Sequence, residues 1–418
     1  MFTEYLKQFS TENEKIFNKV NTAKTYIENI YLDDTEVTRY TNEFWTSKQR
    51  QANSIHEISY RACFKPQLPR FFINKLTNEE DFVYDPFLGR GTTIIEAGLL
   101  NRNVIGNDIN PLSIILSEPR FLIPDLNELK KYLDSIPVYK NLKAETDLSM
   151  FYQNETESEI VSLRNYLLEK SSADRLNDFD KWIRMTATNR LTGHSKGFFS
   201  VYTMPPNQAV SSGRQIRINE KYKQKPEYRN VKDILLRKTK SLIKDITPDD
   251  KKRLAEIYKK AVFLNADARS TNTIPDEFVQ LTVTSPPFLD VVQYAQDNWL
   301  RCWFNGIKVN EIEKRITMSK TLEQWITVMQ DVFFELFRIT KKGGYAAFEV
   351  GEIKNGKVNL DEYVLPLGVK AGFNAVAIIV NEQVFTKTAN IWGINNNKKG
   401  TNTNRIVLFK KCQYKNHL

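Results

Sequence analysis

Between residues 81 and 107 a short apolar run, Phe82 to Tyr84, enters a loop with two glycines, leaves it as a helical stretch beginning near Thr92, and returns as a second run, NVIGND. A strand, a helix and a second strand in that succession form a crossover unit, the connection that parallel strands require. The rhythm stops at Pro119 and resumes near Lys260 with AVFLNADA, FVQLTVTSPPF, the helix-like TLEQWITVMQDVFFELFRITKKGG and YAAFEVGE. FNAVAIIVNEQVF and TNRIVLFKK then read as a closing antiparallel pair. The expected fold class is therefore α/β, a doubly wound, mostly parallel sheet with helices on both faces. Sheets of this kind bind ligands beyond the carboxyl ends of their strands, which would bring the loops that follow those strands into one site.

Four segments are expected. Residues 1–50 read as a helical lead-in, because TENEKIFNKVNTAKTYIENIYL carries apolar residues at mixed helical spacings. Residues 51–120 and 261–418 form the two parts of the sheet domain, and the polar section 121–260 is an insertion without repeats or low-complexity tracts. With 418 residues, 41% of them hydrophobic, the chain can bury a full core. Three scattered cysteines, Cys63, Cys302 and Cys412, offer neither a disulfide framework nor a zinc spacing, so they read as structural and no metal is expected. The opening residues MFTEYLKQFSTENEKIF lack the apolar segment of a leader, and no run of about 18 apolar residues occurs. The expected location is cytoplasmic, nucleoid-associated given the charge described below, with no membrane partner.

The loop Asp85-Pro86-Phe87-Leu88-Gly89-Arg90-Gly91-Thr92-Thr93 places two glycines two apart at a helix start, where the backbone can turn tightly and approach a ligand. Ile94 stands where a dinucleotide fingerprint would have its third glycine, which weakens a pyrophosphate reading. A zwitterionic or cationic ligand suits better, since Asp85 at the strand end can hold an ammonium. Asp108, 19 residues after Gly89, ends the second strand where a carboxylate accepts ribose hydroxyls. The plain alternative is a turn capping a helix. Together with its continuation, DPFLGRGTTIIEAGLLNRNVIGNDINP resembles the S-adenosylmethionine (AdoMet) motif of the DNA methyltransferases that modify amino groups. The resemblance implies the seven-stranded AdoMet-dependent methyltransferase sheet, with cofactor contacts from Asp85, Phe87, Gly89, Gly91, Thr92 and Asp108. YRACFKPQLPRFFINKL is similar to the segment that precedes the glycine loop in this family, which implies that Phe64 lines the cofactor site. Asp267 in FLNADA matches the acidic residue that accepts the adenine amino group, with a cap or turn as its plain reading. Arg90 replaces the family's usual serine, at a position where the expected contribution is mainly backbone.

Thr284-Ser285-Pro286-Pro287-Phe288 follows an apolar strand, and its paired prolines forbid the strand's continuation and stiffen the loop. An exocyclic base amine is a poor nucleophile because its lone pair is conjugated into the ring. Acceptors that hold its N–H groups let nitrogen pyramidalise, and the Ser285 hydroxyl and the Pro286 carbonyl are such acceptors. Phe288 can stack on a base flipped out of the duplex. The pentapeptide resembles the T-S-P-P-Y motif of cytosine-N4 methyltransferases, with Phe for Tyr, whereas adenine-N6 enzymes mostly carry Asp or Asn before the prolines. The catalytic set expected is therefore Ser285, Pro286, Pro287 and Phe288, acting by direct transfer. The order of motifs is similar to one of the family's known permutations. The ring-carbon chemistry of cytosine is excluded, as it needs a thiolate, usually in a Pro-Cys pair that this chain lacks.

Residues 181–260 hold 20 Lys or Arg against 7 Asp or Glu, a surplus larger than the +10 of the whole chain. Arg, Asn, Gln, Ser and aromatic residues alternate there with glycine turns, the side chains that meet phosphates and base edges. Arg190, Lys196, Arg214, Arg217, Lys221, Lys223, Lys225 and Arg229 are the expected DNA contacts, in a target-recognition region, and His194 is expected to touch phosphate or base rather than to catalyse. The alternative is a solvated charged face. The favoured reading is a site-specific DNA cytosine-N4 methyltransferase using AdoMet on duplex DNA, in a restriction-modification system with a separate cognate endonuclease. Adenine-N6 methylation, RNA guanine-N2 methylation and a non-catalytic DNA-binding role on the same fold stay open, as does the oligomeric state.

Overall fold

A computed structural model describes residues 2–12, 22–32, 35–45, 52–61, 63–204, 209–287, 297–315, 319, 321–353, 358–382 and 403–412. Its main sheet is built from β1 (Tyr26–Leu32), β2 (Thr35–Asn42), β3 (Phe82–Asp85), β4 (Asn103–Asn107), β5 (Val262–Leu264), β6 (Val279–Thr284), β7 (Thr340–Val350), β8 (Asn374–Glu382) and β9 (Thr403–Lys410). They lie in the order β1-β2-β8-β9-β7-β6-β3-β4-β5. The five strands from β7 to β5 are mutually parallel, and β9 pairs antiparallel with both β7 and β8. The chain passes from β3 outward to β5 on one side, then restarts at β6 on the other, so the strand order reverses between β3 and β6. That reversal opens a crevice at the carboxyl ends.

Apolar residues on successive positions face opposite layers, as the strand period demands. Val83, Val104, Leu281 and Ala347 join one core, while Tyr84, Ile105, Ala346 and Phe348 join the other. α1 (Gln67–Leu76) and α2 (Thr92–Leu99) cover the first face. The second is covered by a helix at Leu322–Ile339, whose Trp325, Met329, Val332, Phe333 and Leu336 form one buried stripe.

Among the described residues the sheet has nine strands where seven were expected. The seven from β8 to β5 are the expected set, and the hairpin β1–β2 extends it through parallel pairing of β2 with β8. This also corrects the helical lead-in. Among the described residues before position 50, helix is confined to Phe2–Gln8, and the rest of the regular structure is strand. Ile27 and Ile30 mimic helical spacing, but the β-branched and aromatic content of Thr35–Asn42 favours an extended chain, with Val37, Tyr40 and Asn42 buried.

The section 121–260 enters between β4 and β5 and carries six helices among its described residues. They are α3 (Leu126–Ser135), α4 (Asn154–Ser172), α5 (Asp178–Arg190), α6 (Ser212–Tyr222), α7 (Val231–Ile243) and α8 (Pro248–Tyr258). Leu133, Ile160, Trp182, Ile234 and Leu254 belong to the same apolar core as Val83 and Val104. The insertion is therefore packed onto the first face of the sheet and shares its core.

Candidate active site

Asp85 ends β3 beside the strand reversal and is 2% exposed. Its Oδ1 accepts from the Phe87 amide at 3.1 Å and from the Thr284 hydroxyl at 2.7 Å, so the carboxyl ends of β3 and β6 are tied across the crevice. No cation is paired with it among the described residues, and burial pushes its carboxyl up to about 7. A buried carboxylate without a counter-charge is a place for a ligand's ammonium.

The glycine loop turns with φ +50° at Gly89 and +77° at Gly91. At Gly91 a Cβ would stand 2.5 Å from the Ser117 Cβ, so conformation and space both require glycine there. Asp108, after β4, accepts from the Gly89 amide at 2.9 Å, the Asn110 amide at 2.8 Å and the Ser113 hydroxyl at 2.7 Å. It holds the loop's shape, and burial raises its pKa. Of about four acceptor sites on a carboxylate it uses three. Phe64 and Phe87 are half-buried, while Thr92 is buried at the start of α2.

Arg90 departs from the expectation of a mainly backbone role. Its buried guanidinium donates to the carbonyls of Ile58 at 3.1 Å and Phe64 at 3.3 Å and to the Thr92 hydroxyl at 3.1 Å. It thereby fastens the 58–64 segment to the glycine loop. Arg120, also buried, donates to the carbonyl of Arg90 from the opposite side. Asp267 follows β5 as expected, but its carboxylate is gripped by Arg269 at 2.6 Å, and that contact holds its pKa below the usual carboxylate value.

Ser285, Pro286 and Pro287 leave β6 at the same edge, while Phe288 lies outside the described residues. Two residues missed in the sequence hold this loop. Trp325 donates its indole N–H to the Pro287 carbonyl at 3.0 Å. Glu349, near the end of the parallel neighbour β7, is hydrogen-bonded to the Ser285 side chain and receives the Asn404 amide at 2.9 Å. Burial raises its pKa, and these two hydrogen bonds oppose the rise. Trp325 is signalled only by its place on an apolar helix face. Glu349 stands out as the one acidic position in AAFEV, an otherwise apolar strand end.

The expected DNA contacts divide. Arg214, Arg217 and Lys221 are exposed on α6 at helical spacings that put them on one face, and Lys196, Lys223 and Lys225 are also exposed. Arg229 is only partly exposed. Its guanidinium donates to the carbonyls of Ser195 at 3.1 Å, Phe198 at 2.9 Å and Ser200, so it braces a loop instead of facing solvent. Arg190 is buried, donates to the Asn189 carbonyl at 3.0 Å and stacks 3.8 Å from the Phe198 ring centre. His194 is exposed beside the same ring. Cys302 is buried, but Cys412 is exposed, against the structural reading of all three thiols. Among the described residues no helix is long and apolar enough to cross a membrane.

The model of a family described as DNA methylase, covering N6 and N4 enzymes, matches residues 3–116, from the first helix through the glycine loop to Asp108 and beyond. The type II methyltransferase M.MjaII of Methanocaldococcus jannaschii is 30% identical over 125 residues, which are 30% of this chain and 22% of that protein. The chain thus spans about a fifth of that relative's length. M.BsoBI of Geobacillus stearothermophilus, also a type II methyltransferase, is 25% identical over 361 residues, 81% of this chain and 70% of its own. A putative DNA modification methylase of Thermus thermophilus, solved with S-adenosyl-L-methionine, covers 35% of this chain and 54% of its own at 21% identity and a TM-score of 0.23. The segment that builds the glycine loop is thus similar to the amino-group-specific (N6/N4) DNA methylases, and a longer stretch of the chain is similar to a type II methyltransferase.

Proposed function

We propose that the protein transfers a methyl group from AdoMet to the exocyclic N4 of cytosine in duplex DNA. The observation that carries this reading is the juxtaposition at one sheet edge of an uncompensated buried carboxylate, Asp85, with the rigid Ser285-Pro286-Pro287 loop, joined through Thr284. The residues fit the cofactor. Asp85 would hold its ammonium, the Gly89–Gly91 turn would admit its chain, and Asp108, with an acceptor site to spare, would meet its ribose. When bound, AdoMet supplies an electrophilic methyl group on a sulfonium.

The chain's own residues then hold the amine. An ionised Glu349 can only accept, so Ser285 donates its hydrogen there and turns its remaining lone pairs toward the crevice. A hydroxyl fixed in that way accepts an amine N–H but offers no competing donor. Pro286 contributes its carbonyl as a second acceptor, and the Trp325 bond to Pro287 keeps both in place. Phe288 is assigned to stacking on the extruded base. The exposed cations of the insertion supply the phosphate attraction. The relatives' designation as type II supports a restriction-modification setting with a separate endonuclease.

Incubating the protein with labelled AdoMet and duplex DNA, then digesting to nucleosides, tests the reading by mass. N4-methylcytosine is expected. N6-methyladenine as sole product would overturn the cytosine assignment, and absence of labelled DNA would overturn the activity.

A further inference from the structure

A concavity of about 760 Å³ opens where the insertion meets the glycine loop, with Arg90 in its wall and none of Ser285, Pro286 or Pro287 among its lining residues. Its wall comes from the 57–65 segment, Arg90 of the glycine loop, the end of α5, the loop at 194–198 and α7. The charges there are unbalanced. Lys65, Arg90, Arg190, Lys196, Arg237 and Lys238 all line it, while Glu57 is its single carboxylate among the described residues. Glu57 lies 3.9 Å from Lys238 and 3.9 Å from Lys244, too far to neutralise either by a close pair. The Lys238 ammonium donates instead to the Glu57 backbone carbonyl at 2.6 Å. Lys196 and Arg237 are exposed and have no described carboxylate partner.

Clustering like charges costs energy unless an anion offsets it. Burial and then the neighbouring Arg190 push Lys238 down to about 7, and burial and then Arg301 push Arg190 down to about 9. The fold nonetheless maintains the arrangement. Arg229 pins the carbonyls of Ser195, Phe198 and Ser200, and so fixes the loop that presents Lys196. Phe198 packs over Gly193, where a Cβ would meet its ring at 2.4 Å.

We propose that this basic cavity is a phosphodiester site that takes a backbone phosphate of the DNA substrate, with Lys196 and Arg237 at its rim and Lys238 and Arg190 beneath. The inference rests on the DNA-modifying reading and adds an anchoring point in a cavity that none of Ser285, Pro286 or Pro287 lines. A phosphate held there carries no sequence information but fixes the duplex relative to the site.

The test compares wild type, Arg237→Ala and the Lys196→Ala/Arg237→Ala pair, all at exposed positions, by thermal melting, AdoMet titration and duplex affinity as a function of salt. Each lost phosphate contact flattens the plot of log affinity against log salt by about 0.9. The double variant is expected to lose at least that much slope, with melting and AdoMet affinity unchanged. A parallel titration with inorganic pyrophosphate separates the sources of phosphate. Wild-type binding of pyrophosphate that the double variant loses, together with an unchanged DNA slope, would assign the cavity to a free phosphate ligand and overturn the backbone assignment. An unchanged slope without pyrophosphate binding would overturn the site altogether. Product analysis at saturating DNA reads the methylation reading separately, so either result can fail without the other.

Discussion

Asp85→Asn isolates the buried carboxylate at the strand reversal. Burial lifts the Asp85 carboxyl from 3.8 to about 7, so the folded chain holds this proton more tightly than the unfolded one. The sign follows: stability is least penalised below about pH 4, falls as pH rises through that window, and bears the full cost above about 7. At about 1.4 kcal/mol per pH unit, the buried charge costs roughly 2 kcal/mol at pH 5 and roughly 4 kcal/mol at pH 8. Asparagine keeps an oxygen for the Phe87 amide and the Thr284 hydroxyl but carries no charge. Denaturant unfolding should therefore show the variant gaining on wild type by about 2 kcal/mol between pH 5 and pH 8. On the proposed reading AdoMet should reverse the preference, since its ammonium would compensate the carboxylate. Calorimetric titration near pH 6.5 in two buffers of different ionisation enthalpy should register proton release for wild type and none for the variant, whose affinity should fall. A stability difference that stays flat from pH 5 to pH 8 would refute the titration argument, and undiminished AdoMet affinity would refute the ammonium assignment.

Ser285→Ala should slow single-turnover methyl transfer at least about tenfold while changing duplex affinity little, because the lost acceptor acts where nitrogen becomes tetrahedral; a wild-type rate removes the loop from the mechanism. Gly91→Ala should destabilise the fold by more than about 2 kcal/mol, combining a strained φ of +77° with a collision at Ser117; an unaltered melting temperature would contradict the turn geometry. Arg217→Ala with Lys221→Ala should flatten the salt dependence of DNA binding by up to about 1.8. Arg229→Ala should instead lower stability by about 1 to 3 kcal/mol in denaturant unfolding, by orphaning carbonyls of the 195–200 loop.

Much of the site could be read from sequence because its requirements are local. Gly89 and Gly91 announce a backbone conformation, Pro286 and Pro287 announce a strand end, and both signals precede any packing. The alternation of Phe82–Tyr84, a helix and NVIGN likewise fixes a crossover without reference to the rest of the chain. What escaped depends on partners distant in sequence. Arg90 looks like a loop cation until Ile58 and Phe64 are seen to receive its guanidinium. Arg229 and Lys221 are indistinguishable in a charge count, yet one braces three carbonyls and the other faces solvent. The N-terminal strands resemble a helix because Ile27 and Ile30 satisfy a helical spacing, and only β8, more than 300 residues later, supplies the edge that makes an extended chain preferable.

That edge also sets an order of assembly. The Trp45 amide donates to the Asn381 side chain across 336 residues of sequence, and Arg39 to Asn42 of β2 pair with Ile378 to Asn381 of β8. At the usual 5 to 20 residues per second of synthesis, the N-terminal hairpin emerges roughly 20 to 70 s before its partner exists. Throughout that interval the ladder groups of β2 that will bond to β8 are uncovered, alongside Tyr26 and Tyr31, which stay more than half exposed even in the finished sheet. The nascent chain thus carries an open sticky margin for most of its translation, which makes β2 the segment where chaperone capture or early aggregation would begin.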